Sequence, residues 1–156
     1  MSISPGAAFT IRPAVRADDR ALRAMVRREH LNPLGLDWRN FLVAEDSERR
    51  ILGIGAVKTH GDGSRELASI ATAADWRGHG IADAVIRTIL KREDAAGGAM
   101  YLTCRDVMAV FYERFGFRSI GAEEMPPYFR RLYRLVSIAT GVMRIKNRLT
   151  VMKRGP

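Results

Sequence analysis

The sequence predicts a single α/β domain, and three observations carry that expectation. At 156 residues, with 47% hydrophobic and 28% charged content, the chain is long enough to bury its own core. Two apolar runs, Phe41–Glu45 and Ile51–Lys58, flank the polar loop Asp46-Ser47-Glu48-Arg49-Arg50 as the strands of a hairpin would. A third run, Glu66–Thr72, leads through the glycine-containing stretch Trp76–Asp83 into Ile81–Arg92, whose apolar residues recur at helical spacing. No repeat, linker or low-complexity segment marks a domain boundary.

Taken in order, Phe9–Arg12 reads as a short strand ended by Pro13. Asp18 is placed to cap a helix reaching about Arg28, with Leu22, Met25 and Val26 on one face. Leu31–Trp38 is an irregular connector. Gly53 and Gly55 inside a strand mark a bulge or the close approach of a neighbour. His60-Gly61-Asp62-Gly63-Ser64 is a turn, and Arg65–Thr72 is the strand it feeds. Ile81, Ala84, Val85, Thr88 and Ile89 share a helix face, and Ala95-Ala96-Gly97-Gly98 ends that helix. Ala99–Thr103 is a strand, Val107–Phe115 a helix stopped by Gly116, and Phe117–Ile120 a short strand. After Pro126-Pro127, a helix over Tyr128–Ile145 carries Tyr128, Phe129, Leu132, Tyr133, Leu135, Val136, Ala139 and Met143 on an apolar face. Arg130, Arg134, Ser137 and Arg144 lie opposite, and Leu149–Lys153 is the last strand.

Charge is unevenly spread. Residues 1–125 carry 18 Lys/Arg against 17 Asp/Glu, a net +1, while 126–156 carry eight basic residues and no acid, a net +8. The overall +9 is thus a property of a basic amphipathic segment at 126–156. Such a segment favours polyanions on charge alone, and its helix could also dock on a membrane surface. Its aromatics fall on the apolar face, however, where they offer no stacking platform for bases, so nucleic acid is not the expected partner. One cysteine, Cys104, excludes an internal disulfide framework, and it reads as a small buried hydrophobe. Met1–Thr10 lacks the pattern of an export signal, and Leu135–Met143 is too short to span a bilayer, so a cytoplasmic enzyme is expected.

The chemistry points to Trp76-Arg77-Gly78-His79-Gly80-Ile81-Ala82-Asp83. Two glycines within three residues let backbone N–H groups converge, and the following helix aims its positive dipole end at the same spot. A phosphate or pyrophosphate would be held there. The nucleotide-hydrolase loop is excluded because Gly80-Ile81-Ala82 lacks the Gly-Lys-Ser/Thr end. The dinucleotide fingerprint is excluded by its different glycine spacing and its place after the first strand.

Arg77-x-x-Gly80-x-Ala82 resembles the R/Q-x-x-G-x-G/A loop of the GNAT acyltransferase superfamily. Phe111-Tyr112-Glu113-Arg114-Phe115-Gly116-Phe117 resembles the FYxxxGF segment that closes the same core. The resemblance covers roughly residues 9–120, and it implies a mixed, mostly antiparallel sheet, flanked by helices and splayed after the fourth strand. It implies acetyl-CoA as acyl donor, with a small-molecule or peptide amine as acceptor. Backbone groups of Ile70, Ala71 and Thr72 would pair with the pantetheine arm, and Arg77, Gly78, His79, Gly80, Ile81 and Ala82 would grip the pyrophosphate. The segment Leu31–Trp38 would line the acceptor side, unless Leu36 and Trp38 simply plug the core.

Tyr112 matches the tyrosine that protonates the departing sulfur. Glu66, on the strand before the loop, matches the glutamate that serves some members as base, unless it is only paired with Arg65 or Lys58. Glu29, Asp37 and His60 are weaker candidates, and a weakly basic amine would need no base. Arg105 stands where the family often has a cofactor-binding asparagine; it would contact the cofactor, hold an anionic acceptor, or simply face solvent. No metal is expected. Two other functions stay open: a non-catalytic acyl-CoA-binding or sensory module, and a polyanion-binding protein acting through the tail. A homodimer built on the apolar helix face stays open as well.

Overall fold

Short strands at hairpin spacing assemble into one mixed sheet. The computed structural model describes residues 8–143 and 148–156. Its strands are β1 (Thr10–Pro13), β2 (Phe41–Glu45), β3 (Ile51–Thr59), β4 (Arg65–Thr72), β5 (Met100–Arg105), β6 (Arg118–Ser119) and β7 (Leu149–Arg154), in sheet order β1-β2-β3-β4-β5-β7-β6. The helices are α1 (Asp19–Arg28), α2 (Ile81–Ala96), α3 (Ala109–Glu113) and α4 (Pro127–Met143). β1 with β2, β2 with β3, β5 with β7 and β6 with β7 are antiparallel, while β4 with β5 is parallel. This is the mixed, mostly antiparallel class expected.

The β4–β5 ladder comprises only Arg65–Met100 and Glu66–Tyr101, whereas β5 pairs with β7 along its whole length. The ladder therefore ends at Glu66, where the sequence reading placed the parting beyond Thr72. Ser69 supplies a reason: it sits at φ +55, a left-handed conformation that no regular strand residue adopts.

The chain divides into two compact units, and β3 and β4 each run from one into the other. The first holds the described residues to Val57 and Ser69–Arg92; the second holds Lys58–Ala68 and the described residues from Glu93 on.

In the first unit, Leu22, Met25 and Val26 of α1 are buried against Phe41, Val43, Ile54 and Ala71. Leu31, Leu36 and Trp38 pack on this cluster, so the connector does plug the core. Asp18 does not cap α1 with its side chain. Its carboxylate accepts instead from Arg12 (2.8 and 3.2 Å) and from the Val15 N–H (2.7 Å), because Arg12 also reaches Glu45 and draws both acids to itself. Both glycine expectations for β3 are met. The β2–β3 register passes from Ala44–Gly53 to Glu45–Ile51 and leaves Leu52 as a bulge. A Cβ on Gly55 would lie 2.7 Å from Val85 and 2.8 Å from Ile70, and one on Gly53 would strike Ile81. The two glycines thus let α2 sit directly on the strand.

In the second unit, Phe129, Met125, Ile120 and Val151 form the core, with Tyr101, Tyr128 and Tyr133 around them. The expected helix over Val107–Phe115 is a 3-10 turn, Asp106–Met108, followed by the short α3; Gly116 ends it at φ +86. Of the apolar face expected on α4, Phe129 is fully buried and Tyr128, Leu132, Tyr133 and Val136 are half-buried, but Leu135, Ala139 and Met143 are exposed. At 100° per residue Leu135 falls at one edge of the expected face, while Ala139 and Met143 fall inside its arc but in the last turns of α4, past the residues that pack on the core. Arg144, Ile145 and Lys146 lie outside the described residues. Part of the tail charge is used internally: Arg130 donates to the carbonyls of Ala122 and Met125, and Arg154 pairs with Asp94.

Asp62 fastens the start of α4 from a distance of 66 residues in sequence. Its carboxylate accepts from the Tyr128 N–H (2.9 Å) and from Ser64. The Ser64 hydrogen bond, with help from the Tyr128 N–H, holds its pKa down to about 2. Asp62→Ala is therefore expected to destabilise the fold by about 1 kcal/mol, the usual worth of a cap. Because the folded pKa is depressed, this contribution is present above the ordinary aspartate range and fades as pH falls toward 2. Urea melts of both proteins at pH 7 and pH 3 check this: the difference should shrink at the lower pH.

Candidate active site

The glycine loop lies in the first unit and takes its shape from local rules. A 3-10 turn, Ala74–Trp76, follows β4, and Gly78 (φ +80) and Gly80 (φ +76) then adopt conformations costly for any side-chain-bearing residue. Arg77, Gly78, His79 and Gly80 are all exposed, and a Cβ on either glycine would meet nothing within 4 Å. The first helical bond of α2 runs from the Ala84 N–H to Gly80, so the N–H groups of Ile81, Ala82 and Asp83 precede it. Ile81 is buried, which pins the helix start, while Ala82 and Asp83 beside it are half-buried. His79 Nδ1 lies 3.1 Å from the carbonyls of Trp76 and Arg77; both accept, so Nδ1 carries the proton and staples the loop. An open cradle of donors at the N-terminus of a 16-residue helix fits a pyrophosphate.

Arg77 is held by Glu29 at the end of α1, Nη2 to Oε2 at 2.6 Å. This pair is too exposed to be worth more than about 1 kcal/mol, so an incoming phosphate can displace the carboxylate. Ile70, Ala71 and Thr72 follow Ser69 directly, and the reversal there re-aims their backbone groups. The sequence contains no sign of it, since serine is not the residue a left-handed position advertises. Ser69→Gly is expected to be neutral or slightly stabilising. Ser69→Val, a β-branched residue at positive φ, should cost about 1–3 kcal/mol, read as a shift in denaturant midpoint.

The other expected site residues lie in the second unit. Tyr112 is half-buried on α3, its ring held by Phe111 and Phe117. Burial, with Cys104 nearby, pushes its pKa up to about 12, so it is a protonated donor across the neutral range. Its hydroxyl makes no hydrogen bond among the described residues. The Cys104 thiol is itself pushed up to about 11 by burial and by Asp106, and it touches Met152, which makes it no nucleophile. Arg105 is exposed and makes no ion pair among the described residues.

Glu66 is buried, and of the two partners weighed for it, Arg65 and Lys58, Arg65 turns instead to Glu93 (2.7 Å) and Thr59. Successive strand residues point to opposite faces. Glu66 meets His60 instead, Oε2 to Nε2 at 2.7 Å. His60 had been only a weak candidate. Its place in the turn that feeds β4, six residues before Glu66, was the signal that could have found it.

Residues 37–119 match the acetyltransferase (GNAT) domain family. No curated protein matches the chain at a significant level. Among solved structures, N-acetylglutamate synthase from Neisseria gonorrhoeae, complexed with coenzyme A and N-acetyl-glutamate, superposes at a TM-score of 0.74 with 18% identity. That match covers 96% of this chain but only 35% of the synthase, so this chain spans about a third of it. A Mycobacterium tuberculosis protein in complex with CoA and NLQ superposes at 0.69, with 19% identity over 94% of this chain and 99% of that one. A GCN5-related N-acetyltransferase from Kribbella flavida superposes at 0.66, with 21% identity over 98% and 100%. Identities this low speak for the fold; the matched family domain, covering just over half of the residues, makes this chain a member of the GNAT acetyltransferase family.

Proposed function

We propose that the chain is a single GNAT-type domain over residues 1–156 that transfers an acetyl group from acetyl-CoA to a primary amine by direct attack. The observation that carries this is the open, exposed loop of Gly78 and Gly80 leading into the start of α2, an arrangement that suits a pyrophosphate. Arg77, Gly78, His79, Gly80, Ile81 and Ala82 hold the diphosphate, and backbone groups of Ile70, Ala71 and Thr72 hold the pantetheine arm. Arg105 is an exposed cation available to the same donor. The bound thioester supplies the activated acyl group.

Tyr112 hydrogen-bonds the sulfur as its negative charge develops and gives it a proton. With its pKa near 12, full transfer to an ordinary thiolate is uphill by about 5 kcal/mol, so the hydrogen bond supplies the larger part of its effect. On the acceptor side, an alkylamine is only about 0.1% neutral at pH 7, a deficit of about 4 kcal/mol that a base can offset. Glu66 takes that proton, directly or through water. The acceptor is a small molecule or a peptide amine. Among the described residues no helix is long and apolar enough to cross a membrane, and we place the enzyme in the cytoplasm. Calorimetric titration with acetyl-CoA should give one site per chain; absence of binding would remove the proposal. Binding with no turnover on any amine would favour a non-catalytic acyl-CoA module.

A further inference from the structure

The pair His60–Glu66 is built with more care than a strand-edge carboxylate requires. Nε2 and Oε2 are 2.7 Å apart, with side chains 12% and 11% exposed. The ring of Tyr128, from α4, stacks on His60 at 3.5 Å between centroids and 12° between planes. Phe129 closes the edge at 5.6 Å. Tyr101 stands opposite Glu66 in the β4–β5 ladder and packs on Phe129. The titratable groups around the imidazole are thus Glu66 from β4, Asp62 from the turn, Tyr128 from α4 and Tyr101 from β5.

An ionised Glu66 can only accept, so Nε2 carries the proton of the shared bond and the lone pair lies on Nδ1. Nδ1 makes no hydrogen bond among the described residues. We propose that the proton leaving the acceptor amine comes to rest on His60 Nδ1, and that Glu66 is a positioning residue that fixes the tautomer and balances the imidazolium. This rests on the acyl-transfer reading and changes the atom that serves as base. Through a water, one N–H bond of the substrate ammonium breaks and one Nδ1–H bond forms; the amine keeps its electron pair for attack, and Glu66 stays ionised throughout. An imidazole is ordinarily a stronger base than a carboxylate by about two pH units, roughly 100-fold in its favour as the proton's resting place. The stacked Tyr128 and the edge of Phe129 hold the ring plane, so α4, the segment least like the rest of the family pattern, acquires a role in the chemistry.

The test has two arms. The chain has three histidines, so side-chain nitrogen–proton correlation spectra of labelled protein at pH 8 can be assigned with His30→Gln and His79→Gln. His60 should appear as the Nε2–H tautomer in the wild type; the Nδ1–H tautomer would overturn the proposal without any variant at the site. The second arm measures kcat/KM against pH by thiol release from acetyl-CoA, using the fastest acceptor among free amino acids, polyamines and short peptides. His60→Gln keeps a donor near Nε2 but has no basic lone pair. It should lose the acid limb and about 10²–10⁴-fold in rate, with acetyl-CoA affinity unchanged. Glu66→Gln should keep an acid limb, because the basic lone pair on His60 remains. The reverse pattern, a limb lost in Glu66→Gln and kept in His60→Gln, would overturn the inference and leave Glu66 as the base. A wild type that releases no thiol with any acceptor would overturn the acyl-transfer reading itself.

Discussion

Gly80→Glu should abolish acetyl-CoA binding in a protein that still folds. The position is exposed and a Cβ there meets nothing within 4 Å, so the new side chain has room. The fold bears only the cost of a left-handed backbone at φ +76, about 1–2 kcal/mol. The carboxylate would stand in the donor cradle ahead of α2. There it satisfies the N–H groups a pyrophosphate would use and repels it. Like charges at about 4 Å cost between about 1 kcal/mol in bulk water and about 4 near a protein surface, so an affinity loss of at least 100-fold is expected. Gly80→Ala separates the two effects, since it carries the backbone cost without the charge; most of its affinity should remain. Unchanged calorimetric affinity in a folded Gly80→Glu protein would remove the loop from the cofactor site.

Tyr112→Phe should leave acetyl-CoA affinity nearly unchanged and lower turnover by about 10²–10⁴-fold, the usual range for a positioned acid. The substitution keeps the ring that packs on Phe111 and Phe117, and the hydroxyl gives up no hydrogen bond among the described residues, so the melting temperature should hold. With the tyrosine pKa near 12, the alkaline limb that it contributes lies beyond ordinary assay conditions. A wild-type fall in rate between pH 8 and 10 would therefore belong to another group. Retention of most of the turnover when chemistry is rate-limiting would assign the acid to a different residue or to water.

What was legible in the sequence is what local rules dictate. Gly78 and Gly80 advertise positive φ, and the apolar spacing after them advertises α2, so the loop and its direction could be read directly. The hairpin of β2 and β3 followed from the polar loop between two apolar runs. What escaped notice depends on residues brought together from a distance or on conformations their residue types disguise. Ser69 is left-handed without being glycine. Arg77 finds Glu29, 48 positions away, and Asp62 fastens the start of α4 across 66. Glu66 was read as a base or as a partner of Arg65 or Lys58, because the imidazole that meets it sits across a turn. The apolar face of α4 was drawn too long, since sequence spacing shows which residues share a face but not how far along the helix the core reaches.

The proposed function stands or falls on acetyl transfer from acetyl-CoA to an amine. The most direct measurement is a screen of primary amines with acetyl-CoA, recording free thiol release and the mass of the amine product together. Stoichiometric thiol and N-acetylated product are expected with at least one acceptor class, both lost in Tyr112→Phe and Gly80→Glu. Tight acetyl-CoA binding with neither thiol nor acetylated product across amino acids, polyamines and peptides would contradict it.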